Sequence, residues 1–352
     1  MFYGIYLPVF LPYVAITILG LLNLYVLDKN LFIYQLAFFV LSSVIFFVVS
    51  TLPIHFHKTY SYTLYIINII LLLLVFIMGE ITRGSTRWIN LGVVNIQPSE
   101  FIKVTLILAI ANLLSYKTKK IISIQNFLYA TLIFLPAFAL VFFQPDLGTS
   151  LVLIAVFGVL IFYSGVRVSY LLLILLLFSI ASGPIWNSLR GYQQDRVVSF
   201  INPSLDPLGT GYNAIQAQIA IGSGKLTGKG LGAGTQARLG FLPENTTDFA
   251  FAAFAEEWGA IGSSILMLLY FIILYSILNL LTRVKDYFAR YVILGVVIVF
   301  FVHISINIGM NIGIMPVTGI PLPFFSYGGS SFLALSIMLG LVNSVAKDKQ
   351  LI

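Results

Sequence analysis

Asp248 lies in Leu242-Pro243-Glu244-Asn245-Thr246-Thr247-Asp248-Phe249, where a polar stretch gives way to apolar chain. A carboxylate at that boundary is partly stripped of water, and partial desolvation favours a base. The same place suits a helix cap, with Thr247 or Asp248 bonding the first free amides of the next helix, and position alone favours the cap. A second set of charges, Glu100 and Lys103 in Gln97-Pro98-Ser99-Glu100-Phe101-Ile102-Lys103, opens another apolar run. Their i,i+3 spacing sets both on one helical face, so each neutralises the other where an isolated charge would be expensive. Spacing alone is equally compatible with a structural ion pair and with a pair lining a working cavity.

Three further groups have the chemistry to meet an anion or a sugar. Arg83, Arg87 and Trp88 bring two cations and an aromatic to an interface, although belt residues look the same. Asp146, in the tight turn Gln144-Pro145-Asp146-Leu147-Gly148-Thr149, is either a helix cap or a polar wall. Arg196, Lys225, Lys229 and Arg238 share one long polar segment, where cations and flexible amides together suit a pyrophosphate. For Lys225 and Lys229, ordinary solvated loop charge is the simpler reading. The glycines around Lys229 do not form a Walker A loop, because Ser223 and Gly230 stand where that pattern needs Gly and Ser or Thr. His303 is alone in an apolar run, while His55 and His57 lie on the cytoplasmic side, so no zinc ligand set is visible. With no cysteine in the chain, disulfides and thiol-bound metals are excluded.

The elements that must position these groups follow from hydropathy. Of 352 residues, 59% are hydrophobic and 9% charged, and the mean hydropathy is +1.02, which places the chain in a membrane. Apolar spans run from Phe10 to Leu27, Leu31 to Leu52, Tyr62 to Met78, Pro98 to Tyr116, Phe127 to Phe143, Gly148 to Ser164, Val168 to Trp186, Gly259 to Leu281, Phe288 to Gly309 and Ser330 to Ala346. The expected fold is therefore all-α: a polytopic bundle of ten transmembrane helices forming one domain, with a large outer loop over about 187–248. Lys58, Lys117, Lys119, Lys120, Arg167, Arg283, Lys285, Arg290, Lys347 and Lys349 fall on one side, against Lys29, Arg83 and Arg87 in the short loops of the other. That bias puts both termini in the cytoplasm and the large loop outside. The net charge of +7 sits largely on the cytoplasmic side and fits anionic lipid, not nucleic acid. The first span lacks a cationic leader and a cleavage site, so it should stay as a helix. No repeat of fixed period and no inverted repeat is evident.

Two stretches outside the spans carry their own signals. Tyr212 to Ile221 sets Ile215 and Ile219 opposite Gln216 and Gln218, which predicts a short surface helix, followed by a flexible glycine-rich stretch to Gly234. Between two spans, the run from Pro316 to Ser331 holds three prolines and three glycines and cannot continue a helix. Freed backbone groups are tolerated at membrane depth only where protein buries them or a cavity is lined by them, so this run marks a working site.

That run, Pro316-Val-Thr-Gly-Ile-Pro-Leu-Pro-Phe-Phe-Ser-Tyr-Gly-Gly-Ser-Ser331, with Asn307 and Gly313 upstream, closely resembles the signature of the SEDS family, for shape, elongation, division and sporulation. Thr318 to Pro323 is worded more like its elongation than its division members. The resemblance extends to Leu242-Pro243 with Thr247-Asp248-Phe249, to Glu256-Glu257-Trp258-Gly259, to Gln97-Pro98-Ser99-Glu100 with Lys103, to Arg87-Trp88, to Pro145-Asp146-Leu-Gly-Thr149 and to Gln193-Gln194-Asp195-Arg196. Asn245 and Thr246 depart from residues often found in relatives. The resemblance implies a peptidoglycan glycosyltransferase that polymerises lipid II at the outer membrane face with inversion, and in it Asp248 is the essential catalytic residue, here expected to act as general base. It also implies substrate contacts from Glu100, Lys103, Arg87, Trp88, Asp146, Arg196, Gln194, Ser326 and Tyr327, with lipid II and an undecaprenyl-pyrophosphate-linked glycan as substrates. A divalent cation, Mg or Mn, is a candidate cofactor, and a class B penicillin-binding protein is the implied partner. The rival readings are a lipid II flippase or transporter, suggested by ten helices and intramembrane charge, and a non-catalytic scaffold for wall-synthesis proteins.

Overall fold

The computed structural model describes residues 4–78, 80–82, 85–90, 92, 95–116, 124–166, 183, 191, 194, 198, 200 and 211–348. Helices α1 (Leu7–Leu27), α2 (Lys29–Thr51), α3 (Ile54–Met78), α4 (Pro98–Ser115), α5 (Ile124–Phe143) and α6 (Leu147–Tyr163) come first. They are followed by α7 (Tyr212–Gly224), α8 (Thr235–Arg238), α9 (Ala250–Arg283), α10 (Tyr287–Ile312) and α11 (Gly329–Lys347). Eight are long and apolar enough to cross a membrane, and α6 is a further apolar helix of 17 residues. Nine of the ten expected spans thus coincide with helices among the described residues; the seventh, Val168 to Trp186, lies almost wholly outside them.

The bundle has an inside and an outside. The apolar window of α11 is 89% buried, against 17% for α2. Lipid is as apolar as leucine, so hydrophobicity does not drive helix against helix there, and short polar contacts take its place. Asn112 Nδ2 donates to Ser61 Oγ at 2.7 Å, Ser344 Oγ to the Leu52 carbonyl at 2.7 Å, and Asn343 Oδ1 accepts from the Tyr6 amide at 2.7 Å. Helix ends are set by local chemistry. Asp28 ends α1 and caps α2, accepting from the Asn30 and Leu31 amides at 2.8 and 3.1 Å.

The chain is not purely helical. Between α3 and α4, β1 (Glu80–Thr82), β2 (Ser85–Asn90) and β3 (Asn95–Ile96) form a small antiparallel sheet, with Glu80 opposite Trp88 and Asn90 opposite Asn95. The β-branched and aromatic residues Ile81, Thr82, Thr86, Trp88 and Ile89 favour strand, and the backbone outside the helices pairs with itself.

The large loop before α9 departs from expectation in two ways. Its first described helix, α7, is present, but the buried face is Ala217, Ala220 and Gly224, while Ile219 is exposed. Small residues lie inward because α7 packs against α9 so closely that a Cβ at Gly224 would strike the Ala255 carbonyl. The glycine-rich stretch is not flexible chain but a docked wedge. Helix α9 is broken at Gly259 (φ 65°, ψ −164°), and the Lys225 and Leu226 carbonyls accept from the Ala260 and Ile261 amides at 2.9 and 3.1 Å. On the other side of the break, the Lys229 and Gly230 amides donate to the Glu256 and Glu257 carbonyls at 3.0 Å each. Only glycine fits at 259, since φ is positive and a side chain there would meet the Leu226 and Gly228 backbone.

Candidate functional site

The run from Gly313 to Gly328 leaves helix at the end of α10, yet side chains of α2, α9 and α10 satisfy its backbone. Asn307 Nδ2 donates to the Ile320 carbonyl at 2.8 Å and Tyr270 Oη to the Pro323 carbonyl at 2.7 Å. Gln35 clamps the far end, donating to the Ser326 carbonyl and accepting from the Gly328 amide, both at 3.3 Å. Ser326 Oγ accepts from the Leu322 amide at 3.1 Å, so this side chain closes the Pro321–Ser326 turn. Phe324, at a positive φ of 61°, is held by Tyr13 and Phe332, whose ring centroids lie 4.6 and 5.1 Å away. A loop over-determined in this way can keep a conformation that solvent would not support.

Asp248 lies against this loop. The Tyr327 amide donates to the Thr246 carbonyl at 2.9 Å, joining the loop to the stretch before α9. The Asp248 carbonyl accepts from Asn307 Nδ2 at 3.2 Å and Asn311 Nδ2 at 3.0 Å. Its side chain points at Gly319, where a Cβ would stand 3.7 Å from Oδ2. The N-cap of α9 is Phe249, whose side chain makes no capping bond, while Thr247 Oγ1 bonds Glu244 Oε2 at 2.9 Å. Asp248 is half-buried. Burial beside Tyr34 and Asp28 pushes the Tyr327 phenol up from its ordinary value, so it stays a neutral donor.

The start of α6 packs on Thr318 and Ile320 at Gly148, which brings the second group of residues to the same loop. Asp146 caps one helix and braces another: Oδ1 caps α6 through the Thr149 amide at 3.2 Å, and Oδ2 accepts from Ser99 Oγ at 2.9 Å and Gln97 Nε2 at 3.1 Å. Those two contacts fix the first turn of α4. Arg87 projects from β2, with Nη1 3.8 Å from Asp146 Oδ1 and further bonds to the Gln144 and Pro145 carbonyls. It is 19% exposed. Next to it, Trp88 is half-buried. Glu100 Oε2 accepts from Lys103 Nζ at 2.8 Å, and Lys103 is 1% exposed, so the pair forms a buried charge beneath the loop. Lys103 Nζ also lies 3.0 Å from His303 Nε2.

The loop cations separate. Lys229 is a paired charge at the surface: Nζ donates to the buried Glu256 at 2.6 Å, and the same carboxylate accepts from the Thr235 and Gln236 amides at 2.8 and 3.1 Å. Arg238 bonds the Gly232 carbonyl. Both serve the wedge at the α9 break, whereas Lys225 is exposed. Gln194 is half-buried, and Arg196 lies outside the described residues. Sequence reading named Asn307 only as part of the family signature and did not assign His303 and Asn311 to this site. Their helical i,i+4,i+8 spacing on α10 was the available signal.

A model of the FtsW, RodA and SpoVE cell cycle proteins matches residues 1–351. The chain is 40% identical over 311 residues to peptidoglycan glycosyltransferase MrdB of Escherichia coli (strain K12), covering 88% of this chain and 84% of that protein. Stage V sporulation protein E of Bacillus subtilis (strain 168) is 38% identical over 294 residues, 82% of this chain and 80% of that protein. The fold matches the Rod shape determining protein RodA of Thermus thermophilus with a TM-score of 0.75 at 27% identity, covering 99% of this chain and 98% of that one. It matches a chain from a peptidoglycan synthase complex with a TM-score of 0.83 at 30% identity, over 98% of each chain. Agreement that runs end to end in sequence and in fold makes this chain a member of the FtsW, RodA and SpoVE family.

Proposed function

We propose that the chain is a peptidoglycan glycosyltransferase of the bacterial cytoplasmic membrane, polymerising lipid II at the outer face with both termini in the cytoplasm. One observation carries this reading: the Asp248 carboxylate faces a broken-helix loop at the end of the bundle, while its own backbone carbonyl is fixed by Asn307 and Asn311. Relatives named peptidoglycan glycosyltransferase support the chemistry.

Asp248 takes the proton from a sugar hydroxyl of the acceptor lipid II. The hydroxyl oxygen attacks the anomeric carbon of the growing glycan, the bond to undecaprenyl pyrophosphate breaks, and the centre inverts. Both substrates keep their tails in the bilayer, so the bundle turns a meeting of two molecules into a positioned step. A pyrophosphate leaves without strong acid help, which makes one base sufficient. Arg87, at the surface beside Asp146, and Arg196 in the outer loop meet the leaving charge, with the buried Glu100–Lys103 pair beneath. Trp88, Gln194 and Tyr327 complete the wall that sugars touch. Among the described residues no three of His, Asp and Glu converge as a protein metal cage requires; a divalent ion, Mg or Mn, would be held by the pyrophosphate oxygens and would neutralise the leaving charge. A class B penicillin-binding protein is the partner that cross-links the strands.

The test is polymerisation of lipid II by purified protein carrying Asp248→Asn or Asp248→Ala, with folding checked by thermal unfolding in detergent. Loss of a general base predicts a rate lower by about 100-fold or more. Wild-type polymer yield from either variant would remove the base assignment. Movement of lipid II across vesicles without new glycosidic bonds would instead favour a flippase.

A further inference from the structure

His303 is an ionisable side chain in the middle of α10, 1% exposed, that the reaction above does not use. Polar groups at that depth persist where neighbours satisfy them, and here both ring nitrogens are engaged. Nε2 lies 3.0 Å from Lys103 Nζ and Nδ1 lies 3.3 Å from the Pro321 carbonyl. An ammonium has no lone pair, so Lys103 donates and Nε2 accepts; the ring proton is then on Nδ1 and is donated to Pro321. One tautomer serves both contacts.

These two partners belong to different parts of the site. Lys103 is on α4 and paired to Glu100 at 2.8 Å. Pro321 is in the loop whose Gly319 faces the Asp248 carboxylate. One turn along α10, Asn307 holds the preceding carbonyl, Ile320, at 2.8 Å and the Asp248 carbonyl at 3.2 Å. Helix α10 thus grips two successive loop carbonyls, and His303 extends that grip to α4.

We infer that His303 is a positioning residue for glycosyl transfer: it locks the Glu100–Lys103 pair of α4 to the loop facing Asp248 and so fixes the base relative to the buried charge. This rests on the polymerase reading above. A residue that merely filled the bundle would be replaceable by phenylalanine, which has a similar shape and fills the same volume but makes neither contact. A glutamine offers one acceptor and one donor on a long side chain and reaches both partners. Asparagine carries the same groups on a shorter stem.

Full-length protein carrying His303→Phe, His303→Gln or His303→Asn is purified, and kcat and KM are measured for lipid II polymerisation beside wild type. His303→Phe is expected to lower kcat by about 10-fold or more with a small change in KM, because misplacement of a reacting group acts on turnover. His303→Gln is expected to recover part of that loss. Wild-type kcat in His303→Phe, or no recovery in His303→Gln, overturns the inference. Should His303→Phe fail to fold, His303→Asn decides: wild-type kcat overturns the inference, and a loss in kcat at unchanged KM supports it. A wild-type protein that makes no polymer in this assay overturns the polymerase reading instead, which separates the two failures.

Discussion

At the residue scale, the space between Asp248 Oδ2 and Gly319 is about to be filled by any side chain added at 319, where a Cβ would stand 3.7 Å away. Gly319 has a φ of 79°, a left-handed conformation that costs other residues about 1–2 kcal/mol. Gly319→Ala therefore strains the loop and sets a methyl group in van der Waals contact with the carboxylate. The expected outcome is a polymerisation rate reduced by about 10-fold or more, since small displacements at a reacting group act on rate before they act on folding. Wild-type activity in a lipid II assay would mean that Asp248 meets its substrate on another side. The motifs around Asp248 and Glu100–Lys103 were legible because their residues are neighbours in sequence. Their partners were not: His303 and Lys103 are 200 positions apart, and Asn311 and Asp248 are 63 apart. Only the fold reveals that His303 and Asn307 of α10 hold one loop while Asn307 and Asn311 hold the Asp248 carbonyl.

At the scale of elements, the break in α9 shows where hydropathy reads well and where it does not. The apolar span was expected to begin at Gly259, and the uninterrupted helix after the break does begin there. The half-helix from Ala250 to Trp258 was signalled only by the cap reading at Thr247 and Asp248, because hydropathy reports where chain enters hydrocarbon and not where helical bonds begin. The glycines and Lys229 were misread for a related reason. A wedge of backbone and a flexible linker have the same composition, and what separates them is a partner, the free carbonyls and amides on either side of Gly259. Glu256 fixes that wedge by accepting from Lys229 and from the Thr235 and Gln236 amides. Glu256→Ala removes the acceptor shared by these part-buried donors, at about 1 kcal/mol for each hydrogen bond lost. Lys229→Met removes one partner from a carboxylate that keeps its amide bonds, and Lys229 is 28% exposed, so its loss is the smaller. Thermal unfolding in detergent should therefore fall further for Glu256→Ala than for Lys229→Met, and the reverse order would show that the ion pair, not the amide cradle, holds the wedge.

At the scale of the whole molecule, the buried polar side chains are concentrated in the most enclosed helices. The central α4, α10 and α11 bury most of their surface, and they carry Glu100, Lys103, His303 and Asn307. Peripheral α2 turns Ile33, Val40, Val44 and Phe47 outward, at 61%, 58%, 55% and 41% exposure. A catalyst and a scaffold use these two surfaces in opposite ways. A catalyst depends on the inner helices and tolerates trimming of the lipid face, because apolar side chains in contact with acyl chains lose little when shortened. A scaffold depends on the outer face, where a partner helix would pack, and is indifferent to the buried charges. Alanine at Ile33, Val40, Val44 or Phe47 is expected to change lipid II polymerisation by less than about twofold, as surface substitutions do away from special features. Glu100→Gln and Lys103→Met, each leaving an unmatched buried partner, are expected to lower it by about 10-fold or more. Rates measured with the purified chain, each variant checked for folding, decide between them: strong effects on α2 together with unaffected Glu100 and Lys103 variants would make the buried charges structural relics and the chain a docking platform.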